Sequence, residues 1–317
     1  MPQSVPVVGP EETLHVLVPS RSIASAVEAV SPRVRAHPVD ATDGPPSGEA
    51  LQAQVWVPRS GAPGVPDNGF LDALPRLRLV QLLTAGAERF IGALPDGVVL
   101  CNARGAHTPS TAEWAMAAML AAQRGIPFFT REQDAGRWTF TTQHTLYGAR
   151  VLVVGAGDIG RAIGRMLDGF GTEVTYVART AREDVHGTDD LPALLPDADV
   201  VVLVVPVTPE TTGLVDAAFL AAMKDDALLV NAARGVVVDT GALLAELSAG
   251  RLRAALDVTD PEPLPSGHPL WTAPGLLLTP HVGGEIPGTG ERGAAAVRAQ
   301  IERIVAGQPP ANVVDRY

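Results

Sequence analysis

A glycine-rich turn between a buried strand and a helix is the feature that most restricts how this chain can fold. Val151–Val154 is an apolar run, Gly155-Ala-Gly-Asp-Ile-Gly160 follows, and residues 161–167 have helical character. In such a unit Gly155 permits the tight turn, Gly157 lets the backbone approach a pyrophosphate, and Gly160 lets helix and strand pack closely. The turn therefore predicts a dinucleotide-binding α/β domain, with the helix N-terminus facing the phosphates. The alternative is an ordinary turn in a glycine-rich chain.

Short apolar runs alternate with helical segments along the rest of the chain, which predicts an α/β fold with mainly parallel sheets. The chain has 317 residues, more than one core usually organises, so we expect two domains. Strands are predicted at residues 14–18, 34–39, 53–57, 77–83, 98–101, 150–154, 173–177, 200–204, 228–231, 254–258 and 276–279. Helices are predicted near residues 22–30, 108–123, 159–168, 191–195, 216–222, 240–249 and 290–306.

The composition restricts the partners and the compartment. A net charge of −11 would repel nucleic acids and anionic membranes, so neither is an expected partner. Cys101 is the only cysteine, and the N-terminal segment lacks the basic start and apolar core of a signal peptide, so we predict a cytoplasmic location. The longest apolar runs are too short to span a bilayer. No metal site is predicted.

An acid that binds the adenosine ribose is expected about 20 residues beyond such a glycine turn, at the end of the next strand. The strand Glu173–Val177 is followed instead by Ala178-Arg179-Thr180-Ala181-Arg182. A guanidinium can bind a 2′-phosphate through two parallel hydrogen bonds, and the threonine adds a hydroxyl. The sequence therefore predicts NADP as the preferred cofactor, with NAD as an alternative. In the competing interpretation both arginines are solvated loop residues.

Polar residues follow three of the later predicted strands. Arg234 comes after residues 228–231, Glu262 after 254–258 and His281 after 276–279. Ligands of open α/β sheets bind at the carboxyl ends of the strands, so these side chains are expected to converge beside the cofactor. An arginine can bind a carboxylate, a histidine can deliver a proton, and a glutamate can orient the histidine ring. The set predicts hydride reduction of a 2-oxo acid. Each residue alone has a structural alternative, such as a surface turn for Glu262.

With these motifs the chain resembles the D-isomer-specific 2-hydroxyacid dehydrogenases along nearly its whole length. The resemblance rests on VVGAGDIG at 153–160, VPVTPETTGLV at 205–215, LLVNAARGVVVD at 228–239, ALDVTDPEPLP at 255–265 and LTPHVGG at 278–284. It implies that Arg234 binds the substrate carboxylate and that Glu262 and His281 form the proton-transfer pair. It also implies that Asp257 contacts the nicotinamide carboxamide and that the loop Pro206–Thr211 lines the cofactor ribose. Further cofactor contacts expected within these motifs are Asp158, Ile159, Ala233 and Gly283.

The resemblance also implies an architecture of two Rossmann-like domains with parallel sheets. A discontinuous substrate domain, residues 1–104 and 286–317, would surround an inserted dinucleotide-binding domain at residues 105–285. The backbone amides of Ala85 and Gly86 would bind the substrate carboxylate. Trp138 resembles an aromatic residue that closes the partner subunit's pocket in some members, and the alternative is a tryptophan packed on a helix. A homodimer is implied, with the Ala/Met-rich helix after Thr111 either at its interface or buried within one subunit.

Two departures from the family pattern affect the cofactor. Ala178 replaces the usual ribose-binding acid, as in the NADP-preferring glyoxylate and hydroxypyruvate reductases that this chain resembles. Ala232 stands where many members have a hydroxyl residue beside the cofactor. The main prediction is thus a glyoxylate/hydroxypyruvate-type reductase that forms a D-2-hydroxy acid.

Two other functions remain open on the same scaffold. Phosphite oxidation uses a similar arginine, glutamate and histidine. A nucleotide-gated, peptide-binding corepressor also keeps these residues and represents a different class of protein. Formate oxidation is disfavoured, because that branch of the family has glutamine at the position of Glu262.

Overall fold

The computed structural model describes residues 7–9, 11–62, 64–66 and 69–314. The chain divides into two compact units, of which unit 1 comprises Met1–His107 and Pro287–Tyr317 and unit 2 comprises Thr108–Ile286. The predicted boundaries lie within three residues of these. Both units are α/β structures with parallel sheets, which confirms the predicted fold class.

The regular elements are short and alternate along the described chain. The strands are β1 (Leu14–Val18), β2 (Val34–Pro38), β3 (Val55–Trp56), β4 (Leu79–Gln81), β5 (Val99–Cys101), β6 (Arg150–Val154), β7 (Glu173–Ala178), β8 (His186–Gly187), β9 (Val200–Leu203), β10 (Leu228–Asn231), β11 (Arg253–Leu256) and β12 (Leu276–Leu278). The α-helices are α1 (Arg21–Glu28), α2 (Thr108–Gln123), α3 (Ile126–Asp134), α4 (Asp158–Leu167), α5 (Leu191–Leu194), α6 (Ala217–Ala222), α7 (Thr240–Ser248) and α8 (Thr289–Val305).

Unit 1 is a five-stranded parallel sheet in the order β2-β1-β3-β4-β5. Successive side chains of β1 point to opposite faces, so Val16 packs with α1 and α8 while Leu17 packs on the other side. That second side holds an aromatic group, in which the ring centroids of Trp56 and Phe70 lie 4.9 Å apart. Unit 1 therefore has apolar packing on both faces of its sheet, as parallel sheets require.

Unit 2 is a seven-stranded parallel sheet in the order β12-β11-β10-β9-β6-β7-β8. Leu152 and Val154 of β6 face one apolar cluster, and Val151 and Val153 face the other. Strands β7 and β8 follow β6 on one side of the sheet, and β10, β11 and β12 follow β9 on the other side. A topological switch point therefore lies between β6 and β9. Ligands bind at the carboxyl ends of the strands beside such a switch.

Helix α3 and the two-residue strand β8 are absent from the sequence prediction. The apolar residues that begin α3, Ile126 and Phe128, are exposed, and the buried residue of the helix is Glu132. Without a buried apolar stripe, the pattern that reveals a helix is missing. Helix α2, by contrast, packs Ala115, Met116 and Met119 into the core of unit 2, so its Ala/Met-rich face is buried within one subunit.

Candidate active site

The glycine turn joins β6 to α4 at the carboxyl edge of the seven-stranded sheet. Gly155 has a φ of +120°, and a Cβ there would lie 2.5 Å from the carbonyl oxygen of Val204. A Cβ at Gly160 would lie 1.9 Å from the carbonyl oxygen of Gly155, so only glycine allows α4 to start this close to the strand. Gly157 instead faces open space, with nothing within 4 Å of a Cβ placed there. The exposed backbone at Gly157 and the N-terminus of α4 fit a bound pyrophosphate.

Two arginines flank this turn on the side of β7, which ends at Ala178. Arg182 donates from Nη2 to the carbonyl oxygen of Ala156, 3.2 Å away, so it is tied to the glycine turn itself. Arg179 and Thr180 are exposed. The hydroxyl of Thr208, then the backbone of Glu210 and the charge of Arg179 hold the pKa of Glu210 below its usual value. Arg179 therefore lies near enough to the loop after β9 for its charge to act on the carboxylate of Glu210.

That loop, Pro206–Thr211, is closed on itself by the threonines. The Thr211 hydroxyl donates to the carbonyl oxygen of Pro206 at 2.7 Å and accepts from the backbone N–H of Thr208 at 2.8 Å. Thr208 is buried, whereas Pro206 and Glu210 are exposed. The hydroxyl of Thr211 is thus engaged in holding the loop, and the surface offered to a cofactor is mainly the backbone and Pro206.

The end of β10 is shaped by a buried asparagine. The side chain of Asn231 donates to the carbonyl oxygen of Arg234 at 3.0 Å and accepts from the backbone N–H of Ala233 at 3.0 Å. These bonds fold residues 231–234 into a tight turn. Arg234 is half-buried and donates from Nη1 to the carbonyl oxygen of Ala233. A Cβ at Gly235 would lie 1.9 Å from the carbonyl oxygen of Thr259, so this turn packs directly on the chain that follows β11.

Asp257 stands directly after β11 and is buried. Its Oδ1 accepts hydrogen bonds from the Thr279 hydroxyl at 2.6 Å and from the N–H of Val282 at 2.9 Å. Its Oδ2 accepts from the N–H of Gly283 at 2.7 Å. Its backbone oxygen accepts from the N–H of His281 at 2.7 Å. Asp257 therefore holds the whole turn that follows β12, a role that the sequence did not reveal.

His281 and Glu262 are in direct contact. Nδ1 of His281 lies 2.6 Å from Oε1 of Glu262, and the two side chains are 43% and 37% exposed. His281 has a φ of +55°, in the left-handed region that residues with a side chain rarely occupy. Such a conformation persists only where surrounding bonds impose it. With Nδ1 engaged by the carboxylate, Nε2 is the nitrogen left for a ligand.

The predicted site residues of unit 2 thus gather along one edge of its sheet. The structure places the following in the segments that come after the strands of this sheet: Gly155, Gly157, Asp158, Ile159, Gly160, Arg179, Thr180, Pro206, Thr211, Ala233, Arg234, Asp257, Glu262, His281 and Gly283. Ala85 and Gly86 belong to unit 1, where they follow β4. No described residue accepts a hydrogen bond from the backbone N–H of either, while the carbonyl oxygen of Ala85 accepts from the side chain of Asn102.

Trp138 lies on a surface segment of unit 2 and is fully exposed. The interpretation of Trp138 as a residue packed on a helix of its own chain is therefore wrong. The neighbouring aromatics Phe140 and Tyr147 are 93% and 78% exposed. Glu132 accepts hydrogen bonds from Arg137 and Thr139, which hold its pKa at about 2 and anchor the start of this segment. We call Trp138, Phe140 and Tyr147 the aromatic arm.

Sequence reasoning also missed Trp114. Its indole N–H donates to the hydroxyl of Thr279 at 3.0 Å, although 165 residues separate the two along the chain. Among the described residues, no group of three or more His, Cys, Asp or Glu side chains is arranged to hold a metal ion. Within the same part of the chain, no helix is long and apolar enough to cross a membrane.

Comparison with known proteins gives one family. A family model described as "D-isomer specific 2-hydroxyacid dehydrogenase, NAD binding domain" matches residues 116–283. The chain is 32% identical over 274 residues to D-3-phosphoglycerate dehydrogenase from Methanocaldococcus jannaschii, an alignment that covers 83% of this chain and 52% of that enzyme. It is 33% identical over 249 residues to glyoxylate/hydroxypyruvate reductase B from Serratia proteamaculans, covering 74% of this chain and 76% of that one.

A solved structure is similar over almost the entire chain. It is a D-isomer specific 2-hydroxyacid dehydrogenase from Xanthobacter autotrophicus Py2 in complex with NADPH and MES. The two chains superpose with a TM-score of 0.83 at 33% sequence identity, and the match covers 96% of this chain and 98% of the other.

Proposed function

We propose that this chain, which belongs to the D-isomer specific 2-hydroxyacid dehydrogenase family, reduces a small 2-oxo acid of the glyoxylate/hydroxypyruvate type with NADPH and forms a D-2-hydroxy acid. Members of the family act on small 2-oxo or 2-hydroxy acids, and the enzyme class is oxidoreductase. The observation that carries the proposal is the 2.6 Å contact between His281 and Glu262 beside the turn that presents Arg234.

Reduction of a carbonyl requires a proton at the oxygen as a hydride reaches the carbon. A bound reduced nicotinamide supplies the hydride. In the charged imidazole of His281, both nitrogens carry a proton, and Glu262 accepts the one at Nδ1. The proton at Nε2 then faces outward and can be delivered to the substrate oxygen. Glu262 fixes the ring orientation by accepting the proton at Nδ1, so the pair acts as one proton donor.

Arg234 supplies the positive charge for an anionic substrate. Asn231 fixes the backbone from which its side chain extends, with bonds to both Ala233 and Arg234. A guanidinium can bind a carboxylate through two parallel hydrogen bonds, which also orients the adjacent carbonyl group. In a protein with a net charge of −11, such a local cation is needed to bind a 2-oxo acid.

The backbone amides of Ala85 and Gly86 remain proposed ligands of a substrate carboxylate. They lack acceptors within the described residues, and Asn102 holds their loop through the carbonyl oxygen of Ala85. Consecutive free amides form a suitable anion-binding concavity.

The preference for NADPH rests on the residues around β7. Ala178 provides no carboxylate that could bind the ribose hydroxyls or repel a 2′-phosphate. Arg179 is exposed, and Arg182 is tied to the glycine turn. The similar structure from Xanthobacter autotrophicus contains NADPH, which supports the same choice here. The carboxylate of Asp257 accepts three hydrogen bonds and has the lone-pair capacity for a fourth, which suits a carboxamide donor.

A homodimer joined through the aromatic arm completes the proposal. Buried aromatic side chains each remove about 150–250 Å² from water, so three exposed ones are a strong incentive for association. The Glu132–Arg137 pair fixes the start of the arm, which lowers the entropic cost of binding a second subunit. Sedimentation velocity would test this: we expect a dimer, and a monomer for the double variant Trp138→Asp, Phe140→Asp. The cytoplasmic location stays a prediction from the sequence.

The experiment that tests the function is a steady-state survey of substrates and cofactors. It would use glyoxylate, hydroxypyruvate, pyruvate and bulkier 2-oxo acids with NADPH and NADH, and phosphite with the oxidised cofactors. We expect the highest kcat/KM for a two- or three-carbon 2-oxo acid with NADPH. Phosphite oxidation without 2-oxo acid reduction would contradict the proposal, and tight cofactor binding without any turnover would favour the corepressor type.

A further inference from the structure

A tryptophan on a different secondary-structure element donates a hydrogen bond next to the turn that carries His281. Trp114 lies in α2, and its indole N–H donates to the Thr279 hydroxyl at 3.0 Å. That hydroxyl in turn donates its own proton to Oδ1 of Asp257 at 2.6 Å. The three side chains therefore form a directed chain of hydrogen bonds that runs from α2 to the end of β11.

This chain fixes which way the threonine hydroxyl points. A hydroxyl has one proton, and hydrogen bonds on both its donor side and its acceptor side fix the direction in which that proton points. The Trp114 N–H occupies that acceptor side, so the proton of Thr279 is directed to Asp257. Hydrogen bonds in such a chain polarise and strengthen one another.

Asp257 passes this constraint to the His281 turn. Its carboxylate accepts the N–H groups of Val282 and Gly283, and its backbone oxygen accepts that of His281. The same turn keeps His281 at a φ of +55°. A contact that fixes the orientation of Asp257 therefore also fixes the backbone turn that positions the imidazole of His281.

Packing leaves little freedom for an alternative arrangement. A Cβ on Gly283 would lie 2.8 Å from Oδ2 of Asp257 and 3.2 Å from the indole of Trp114. The indole is half-buried and packs against the apolar cluster of α2, α4 and the sheet. The ring therefore contacts the turn as well as donating to it.

We propose that Trp114 is a positioning residue for proton transfer, which acts through Thr279 and Asp257 on the turn that holds His281. The inference rests on the proposed function for its kinetic consequence, but its structural part does not. In this proposal the indole N–H orients Thr279 and Asp257, which an apolar ring without a donor could not do.

The test compares Trp114→Phe, Thr279→Val, Thr279→Ser and the double variant Trp114→Phe, Thr279→Val. Trp271→Phe is the matched control, because its indole N–H donates to the carbonyl oxygen of Pro265 at 2.9 Å and does not touch the turn. Each protein is assayed for kcat and KM with the best 2-oxo acid and for NADPH affinity. Hydrogen exchange is followed in the segment 279–285, which contains the amides of Val282 and Gly283.

For Trp114→Phe we expect kcat to fall by about 3–10-fold, the value of one hydrogen bond, with NADPH affinity unchanged. Exchange in the 279–285 segment should accelerate. Thr279→Val should lower kcat and accelerate exchange in the same way. The double variant should have a kcat no lower than that of Thr279→Val alone. Thr279→Ser keeps the hydroxyl and should have a kcat within twofold of the wild type. The control should match the wild type in both measurements.

A lower kcat together with faster hydrogen exchange in Trp114→Phe would support the proposal, provided that the effects of the two substitutions on kcat are not additive in the double variant. Unchanged exchange, a kcat within twofold of wild type, or multiplicative effects in the double variant would overturn it. If the wild-type protein reduces no 2-oxo acid, the proposed function fails. The exchange measurement alone then decides whether Trp114 holds the turn.

Discussion

Nδ1 of His281 lies 2.6 Å from Oε1 of Glu262, on a residue whose backbone is held in the left-handed region. The histidine comes from the turn after β12 and the glutamate from the segment after β11, so two neighbouring strands of one sheet bring the pair together. This contact leaves Nε2 as the nitrogen that would donate the proton in the proposed reaction.

Replacing His281 with alanine should lower kcat by about 10²–10⁴, the usual contribution of a general acid. NADPH affinity, measured by fluorescence titration, should change little, because the proposed cofactor contacts lie mainly in the glycine turn and after β7. His186→Ala is the matched control, since His186 pairs with Asp190 at 3.1 Å on the exposed side of β8. Near-normal turnover in His281→Ala would remove this residue from the mechanism.

Arg234→Lys should raise KM for the 2-oxo acid and lower kcat, because lysine keeps the charge but loses the planar pair of donors. The comparison variant is Arg298→Lys, in which the altered side chain contacts Glu302 on the exposed face of α8. Initial-rate kinetics with each active 2-oxo acid gives both constants. If KM stays at the wild-type value for all of them, Arg234 does not bind the substrate.

The preference for NADPH over NADH should change in opposite directions in two variants of the residues proposed to lie near the adenosine ribose of the cofactor. Arg179→Ala should reduce the preference for NADPH by about 10–100-fold, since a charge-assisted pair contributes roughly 1.5–3 kcal/mol. Glu210→Gln should increase it, because the carboxylate of Glu210, whose pKa the charge of Arg179 helps to lower, would repel a 2′-phosphate bound by that arginine. The ratio of kcat/KM for NADPH and NADH measures both effects. If the wild type, Arg179→Ala and Glu210→Gln all give the same ratio, Arg179 does not contribute to cofactor selection.

The thiol of Cys101 should be unreactive in the folded protein. Burial raises its pKa to about 12, so the reactive thiolate is scarce at pH 8, and the residue is fully enclosed in the sheet of unit 1. Labelling with iodoacetamide should proceed only in denaturant, with a midpoint that coincides with unfolding followed by circular dichroism. Rapid labelling in buffer alone would mean that β5 is not packed as described.

Local patterns in the sequence were enough to predict most of the fold. The glycine turn, the strand end at Asn231 and the start of α2 at Thr108 follow from short-range signals of periodicity, capping and turn chemistry. Helix α3 was missed because its apolar residues face solvent.

Local motifs in the sequence predict a set of candidate site residues, but they do not predict the contacts that connect those residues with the rest of the fold. Trp114 and Thr279 are 165 residues apart, and the charge interaction between Arg179 and Glu210 joins loops after different strands. No local pattern signals such pairs, because the fold itself brings them together. The role of Asp257 in holding the His281 turn was hidden for the same reason.

In the proposed reaction a hydride is transferred to the C2 carbon of a 2-oxo acid while His281 protonates the oxygen. The most direct measurement uses NADPH carrying deuterium at both C4 positions, with hydroxypyruvate as the acceptor and NMR and chiral chromatography of the product. We expect the wild type to form glycerate of D configuration with one deuterium at C2, and His281→Ala to form far less of it. Glycerate without deuterium at C2, product of L configuration, or no consumption of the 2-oxo acid would contradict the proposed reaction.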